Sequence, residues 1–321
     1  MTSIKSILII LLISTGFSQE IQYRDIPLSG LITNPKQEIS GLDWYKDQLV
    51  LLPENLGGFL FMIPKDKLNH ALENDNPAPI EPNQPLFFTP DYSNSIPGFE
   101  GLEAIAFRGN DVYITLESKD NKTMRGHLAW GTINPSTFEV TIPEENILEL
   151  ETPIQVKNMT FESLLIQDES IILFYEVQGM NLQKSVWQYQ ISLTDFSVSK
   201  IEFPHLEYRI TDVSRLNKEN KFWGINYLWS GDRKKLKPAP DPLAITFGLG
   251  ETHQLNDAVE RLIEFVIVDG KIQYSGRAPI QLKLDDKASR NWEGITRWED
   301  KGFIIATDTY PKMILGFVST K

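Results

Sequence analysis

Apolar residues in this chain fall into short continuous or alternating runs separated by polar turns, with almost no stretch at the spacing of an amphipathic helix. Five times a related phrase opens a pair of such runs: Ile39-Ser40-Gly41-Leu42, Leu102-Glu103-Ala104-Ile105, Phe161-Glu162-Ser163-Leu164, Ile210-Thr211-Asp212-Val213 and Trp292-Glu293-Gly294-Ile295. Each phrase places a Ser, Thr or Glu after an apolar residue, follows it with a small residue, and is succeeded by a polar turn and a second apolar run. In the second repeat the runs are 104–107 and 112–116, divided by Arg108-Gly109-Asn110-Asp111. Self-similarity at intervals of 49 to 82 residues, carried by strands, predicts a radial β-repeat, and five phrases predict an all-β, five-bladed β-propeller.

The outer strands are legible in places. Residues 186–191 and 196–203 form one outer pair, and 262–268 turns through Asp269-Gly270, a strong hairpin signal, into 271–274. The last repeat ends after 313–318 without a further strand, while 20–27 has no hairpin partner near it in sequence. Supplying the N-terminal strand to the last blade closes the ring and covers an exposed edge. A long insertion at about 228–256, with Trp229, a basic run and then Pro and Gly, reads as a lid loop; a sixth, degenerate blade hidden there is the alternative.

Composition narrows the setting. Lys5, an apolar run over 7–13 and a small-x-small site at Gly16-Phe17-Ser18 read as a signal peptide over 1–18, leaving a single domain from 19 to 321 that is secreted or periplasmic and free of the membrane after cleavage. The chain has no cysteine, which excludes disulfides and a lipid-anchored cysteine. Its net charge of −12, or −13 without Lys5, disfavours nucleic acid and favours a cation or a small-molecule ligand.

If each phrase begins an innermost strand, Ser40, Glu103, Glu162, Thr211 and Glu293 meet at one level on the axis. Three carboxylates gathered there repel unless they are protonated or neutralised. An oxygen-only donor set makes Ca2+ the expected ion, with Asp212 an alternative donor to Thr211. A residue 14 or 15 positions later returns to the same rim, one strand farther out. Glu54, Glu117, Glu176, Asn226 and Asp308 occupy those places, and the four carboxylates among them are candidate general bases. Arg215 and Arg297, each four residues past an anchor, and Trp229, Arg233 and Lys234 on the insertion are the candidate substrate contacts. The four histidines show no metal or triad spacing, and no Gly-x-Ser-x-Gly or phosphate-loop motif occurs.

The ordered set Ser40, Glu103, Glu162, Thr211, Glu293 resembles the calcium-activated nucleotidases, apyrases with a five-bladed propeller in which Ser, Glu, Glu, Ser and Glu from successive blades surround a central calcium. The phrase at Glu293 is also similar to those of phytase-like and gluconolactonase-type propellers. The resemblance covers the inner hairpins. It departs where those nucleotidases carry Asp-Asp-Arg-Thr-Gly, since this chain has Pro53-Glu54-Asn55-Leu56-Gly57, and again at Thr115-Leu116-Glu117-Ser118, where they have a glycine-rich turn.

These readings combine into an expected calcium-dependent hydrolase of a phosphorylated or other anionic small molecule, with Glu54 or Glu117 activating water. A lactonase or esterase is the enzymatic alternative. A non-enzymatic propeller with a structural calcium, binding a glycan or protein through Trp44, Trp229 and Trp298, is the other.

Overall fold

A computed structural model describes residues 19–285 and 289–320; the expected signal segment lies outside the described residues. Each phrase lies in the first strand of an antiparallel hairpin, opening it in the first, third and fifth repeats and standing within it in the second and fourth. The five pairs are Ile39–Tyr45 with Gln48–Pro53, Phe99–Arg108 with Asp111–Asp120, Phe161–Gln167 with Ser170–Tyr175, Leu206–Val213 with Lys221–Leu228, and Trp292–Trp298 with Gly302–Thr307. Tight reversals with the twist of the flanking strands need positive φ. The turns supply it at Lys46 (51°), Gly109 (59°), Asp168 (50°), Asn220 (55°) and Glu299 (52°).

The first strands pack against one another in cyclic order, the fifth touching the first, which makes the chain an all-β propeller. Strands of such a ring are covered on both faces, which explains why they read as continuous rather than alternating apolar runs. The small residue of each phrase permits their close approach. A Cβ on Gly294 would lie 2.0 Å from Leu42 Cδ1, and one on Gly41 would lie 3.2 Å from the Ala104 backbone.

Outer strands complete the sheets, among them Phe61–Pro64, Thr123–Ile133, Trp187–Ser192, Val259–Val268 and Leu315–Ser319. The N-terminal strand Arg24–Ile26 pairs antiparallel with Leu315–Ser319, so the two ends of the chain share the last sheet as expected. Glu20–Ile21 pairs instead with Ile280–Leu282 in the preceding sheet. The insertion holds no strand. It consists of a 3-10 turn at Ser230–Asp232 and short helices at Arg233–Leu236, Pro242–Phe247 and Glu251–Gln254. Among the described residues no helix is long and apolar enough to cross a membrane.

All five anchors sit at a break in register. The pairing slips between Ile39 and Gly41, Leu102 and Ala104, Phe161 and Ser163, Ile210 and Val213, and Trp292 and Gly294. A bulge frees one residue from the ladder and re-aims its side chain. The Ser or Glu of the phrase is that residue in four repeats, and in the fourth both Thr211 and Asp212 leave the ladder.

Candidate active site

The bulges bring the anchor side chains to one end of the axis, where they are accompanied by the two rings that flank them in sequence. Two residues before each anchor stand Glu38, Gly101, Thr160, Arg209 and Asn291, and 14 or 15 residues after it stand Glu54, Glu117, Glu176, Asn226 and Asp308. Hydrogen bonds join these rings. Thr160 donates through Oγ1 to Glu117 Oε2 at 2.8 Å and through its N–H to Glu176 Oε1 at 3.1 Å. Asn291 Nδ2 donates to both Glu293 Oε1 (2.6 Å) and Asp308 Oδ2 (2.8 Å), and Asp308 Oδ1 accepts the Tyr310 N–H. Glu54 packs on Gly101, where a Cβ would lie 2.6 Å from its Cγ.

Carboxyl groups outnumber cations here, and their protonation follows. Burial first, then the neighbouring Glu38, Asp308 and Glu100 charges, push Glu54 up to about 8. Burial also pushes Glu117 up to about 8, and Glu100 shares a hydrogen bond with it. Glu103 and Glu293 are driven well above the usual carboxylate range by burial and by the acids around them. Glu162 and Glu176 are buried side by side and share a hydrogen bond. Both Arg209 Nε and the Thr160 N–H donate to Glu176, yet burial still raises Glu162 to about 8 and Glu176 well above the usual carboxylate range. Asp308 is raised by burial, although Asn291 and the backbone N–H of Tyr310 hold its ionised form.

Arg209 is the residue that the sequence reading missed. Its Nε bonds Glu176, and its Nη2 lies 3.8 Å from Glu162 Oε2 and 3.7 Å from Glu293 Oε1. Strand alternation could have found it, because a residue two before Thr211 faces the same side. Asn291, two before Glu293, carries the same signal.

The calcium expectation does not fit this donor set. Thr211 Oγ1 donates to Trp292 O at 2.6 Å, and Ser40 Oγ points at Leu52 O, so both hydroxyls serve the backbone. Asp212, the alternative donor, accepts the Val213 and Ile295 N–H groups at 2.8 and 2.7 Å and ties two blades together. A guanidinium stands among the carboxylates, and among the described residues no three acidic or histidine side chains are grouped closely enough to hold a metal ion. Asn226 is structural as well: it donates to the Glu207 and Arg209 carbonyls and accepts from Arg261 Nε.

A pocket of about 290 Å³ opens beside the cluster, lined by Arg209, Tyr227, Trp229, Asp232, Asn291 and Tyr310. Trp229 from the insertion and Tyr310 from the last blade are 49% and 53% exposed, so both present bare aromatic surface at the entrance. Trp229 is therefore where a substrate contact was expected. The other expected contacts are elsewhere. Four residues along a strand cover roughly 13 Å, which carries Arg215 and Arg297 away from the bulge end. Arg215 forks onto Asp43 at 2.6 and 2.7 Å, and Trp44 Nε1 donates to the Arg297 carbonyl. Arg233 pairs with Asp257 on the surface, and neither it nor Lys234 lines the pocket. Of the expected aromatic rim, Trp44 and Trp298 meet at a tilt of 38°, and Trp298 is buried.

No protein-family model and no curated protein matches the chain. Among solved structures it is similar to a thermostable family-43 glycoside hydrolase, at 14% identity over 91% of both chains with a TM-score of 0.50. An exo-1,5-α-L-arabinanase from a bovine ruminal metagenomic library matches at 7% identity over 94% of both chains (TM-score 0.49). A structure from the GH130 family of mannoside phosphorylases, with glycoside hydrolases that target β-1,2-mannosidic linkages in Candida mannan, matches at 10% identity over 96% of this chain and 95% of its own (TM-score 0.49). The likeness is one of fold. The fold shared with the family-43 glycoside hydrolase corrects the expected resemblance to calcium-activated nucleotidases and to phytase-like or gluconolactonase-type propellers.

Proposed function

We propose that the chain is a hydrolase of glycosidic bonds, working at the aromatic pocket beside the axial carboxyls. The observation that carries the reading is a pair of electrostatically coupled carboxyl groups in unequal surroundings: burial raises both, but only Asp308 has hydrogen-bond donors that hold its ionised form. Glu54 is held protonated at neutral pH, near 8, in part by the charge of Asp308. Asp308 accepts from Asn291 and the Tyr310 N–H, which stabilise it as a carboxylate, and both donors belong to pocket-lining residues. Glycoside hydrolysis asks for these two roles: an acid that protonates the departing oxygen, and a carboxylate that activates water or attacks the anomeric carbon. Glu54 takes the first and Asp308 the second. Trp229 and Tyr310 supply flat apolar faces against which a sugar ring can stack, and Asn291 and Arg209 supply polar groups at its edge.

The fold supports this reading, since propellers of this shape serve as scaffolds for such sites, although a shared fold does not by itself carry chemistry. A phosphorylated substrate fits poorly: Arg209 is the one cation lining the pocket, and it is already engaged with Glu176. Release of reducing ends from arabino- and manno-oligosaccharides, measured beside phosphate release from nucleotides, tests the proposal. Sugar release that is lost in Asp308→Asn and Glu54→Gln, with no phosphate released, is the expected result. Phosphate release, or sugar release unaffected by both substitutions, would overturn it.

A further inference from the structure

We propose that Arg209 is the built-in counter-ion of the axial carboxyl cluster and fills, as part of the chain, the role that a divalent cation would otherwise have there. The inference goes beyond the proposed activity and does not depend on which bond is hydrolysed.

Five bulges aim side chains at one end of the axis, and three of those side chains are glutamates. Burying them together is expensive unless a positive charge lies among them. Of the five residues two positions before the anchors, only Arg209 is cationic. Its guanidinium reaches across three blades: Nε bonds Glu176 and Nη2 lies near Glu162, both in the third repeat, and Nη2 also lies 3.7 Å from Glu293 in the fifth, while the arginine itself stands in the fourth. A second support fixes it. Asn226, fully buried, donates to the Arg209 carbonyl and accepts from Arg261 Nε, and Arg261 is in turn paired with Asp241 at 2.7 Å. The Tyr227 ring lies 5.9 Å from the guanidinium carbon. Asn226 thus fixes the Arg209 backbone while Glu176 and the Tyr227 ring fix its side chain, in the place where convergent carboxylates would otherwise recruit a hard cation.

The consequence is a trade between covalent and dissolved charge. With Arg209 in place the cluster has no need of calcium. Without its charge, the same glutamates become a site that gains stability from calcium. Lysine in its place keeps the charge but loses the planar fork that spans two or three carboxyls.

Thermal unfolding of the chain, of Arg209→Lys and of Arg209→Met, each in millimolar CaCl2 and in excess chelator, tests this. The natural chain and Arg209→Lys should melt at the same temperature in both buffers, while Arg209→Met should melt lower in chelator and recover in part with calcium. A melting temperature of the natural chain that rises with calcium would overturn the proposal. So would an Arg209→Met variant as stable as the natural chain in chelator. If Arg209→Met does not fold, the variant that also carries Glu162→Gln and Glu176→Gln removes the stranded charges and should fold, and direct calorimetric titration of the natural chain with calcium should show no binding. Binding in that titration would refute the idea by itself.

Discussion

Replacing Glu54 by glutamine removes an ionisable group and keeps its shape against Gly101. The carboxyl is held near 8 against an ordinary value of 4.5. Between those two pH values the folded state keeps a proton that the unfolded chain releases, so stability falls as pH rises through the interval and levels off above it. At about 1.36 kcal/mol per pH decade, the folded state forfeits up to about 5 kcal/mol by pH 8, shared with the neighbouring Glu38, Asp308 and Glu100 charges that help to cause the shift. Below pH 4.5 the natural chain loses nothing. Glu54→Gln should therefore match the natural chain near pH 4.5 and become progressively more stable than it up to about pH 8, by an amount of the order of a few kcal/mol. Urea unfolding of both proteins at several pH values measures this directly. A difference that is constant with pH, or one that shrinks as pH rises, would refute the reasoning.

Three other substitutions probe separate parts of the molecule. Gly98→Ala should cost about 2 kcal/mol or more, read by urea unfolding, because Gly98 has φ of 69° and a Cβ there would lie 2.1 Å from the Lys119 carbonyl oxygen. Glu260→Ala should cost about 3–5 kcal/mol, since it strands the buried Arg290, whose N–H and Nε both donate to Glu260, and leaves the Trp292 Nε1 donor unpaired. Trp229→Ala should leave the melting temperature nearly unchanged, because the ring is half exposed, yet raise KM for a glycoside without a matching fall in kcat.

The parts legible in the sequence are those written as local pattern. The inner hairpins announced themselves because a strand covered on both faces is a continuous apolar run and a tight reversal needs polar, flexible residues, as at Gly109-Asn110. The closing strand was legible because residues 24–26 lacked a partner and 315–319 lacked a neighbour. The anchor positions were legible, but their use was not. A phrase such as Arg209-Ile210-Thr211 does not display a bulge, and the bulge decides that Thr211 bonds a backbone carbonyl while Arg209 takes the electrostatic role. Arg215 and Arg297 share a place in the repeat and were for that reason assigned together. Their error is also shared, since four residues along a strand reach the other end of it. Tyr310, which completes the pocket, lies in a loop where no repeat pattern points to it, whereas Asn291 carried the alternation signal of a residue two before an anchor. The shape shared with glycoside hydrolases leaves no trace at 14% identity, because a propeller asks only for apolar strands, small residues where blades meet and turns at the right spacing.

Proton NMR of an oligosaccharide incubated with the protein tests the central claim most directly, because the anomeric protons report both cleavage and its stereochemistry. The account predicts new anomeric signals with the natural chain, and none with Asp308→Asn, from at least one arabinosyl or mannosyl oligosaccharide. Unchanged spectra for every such sugar with the natural chain, together with no change in tryptophan fluorescence on titrating the same sugars, would contradict it.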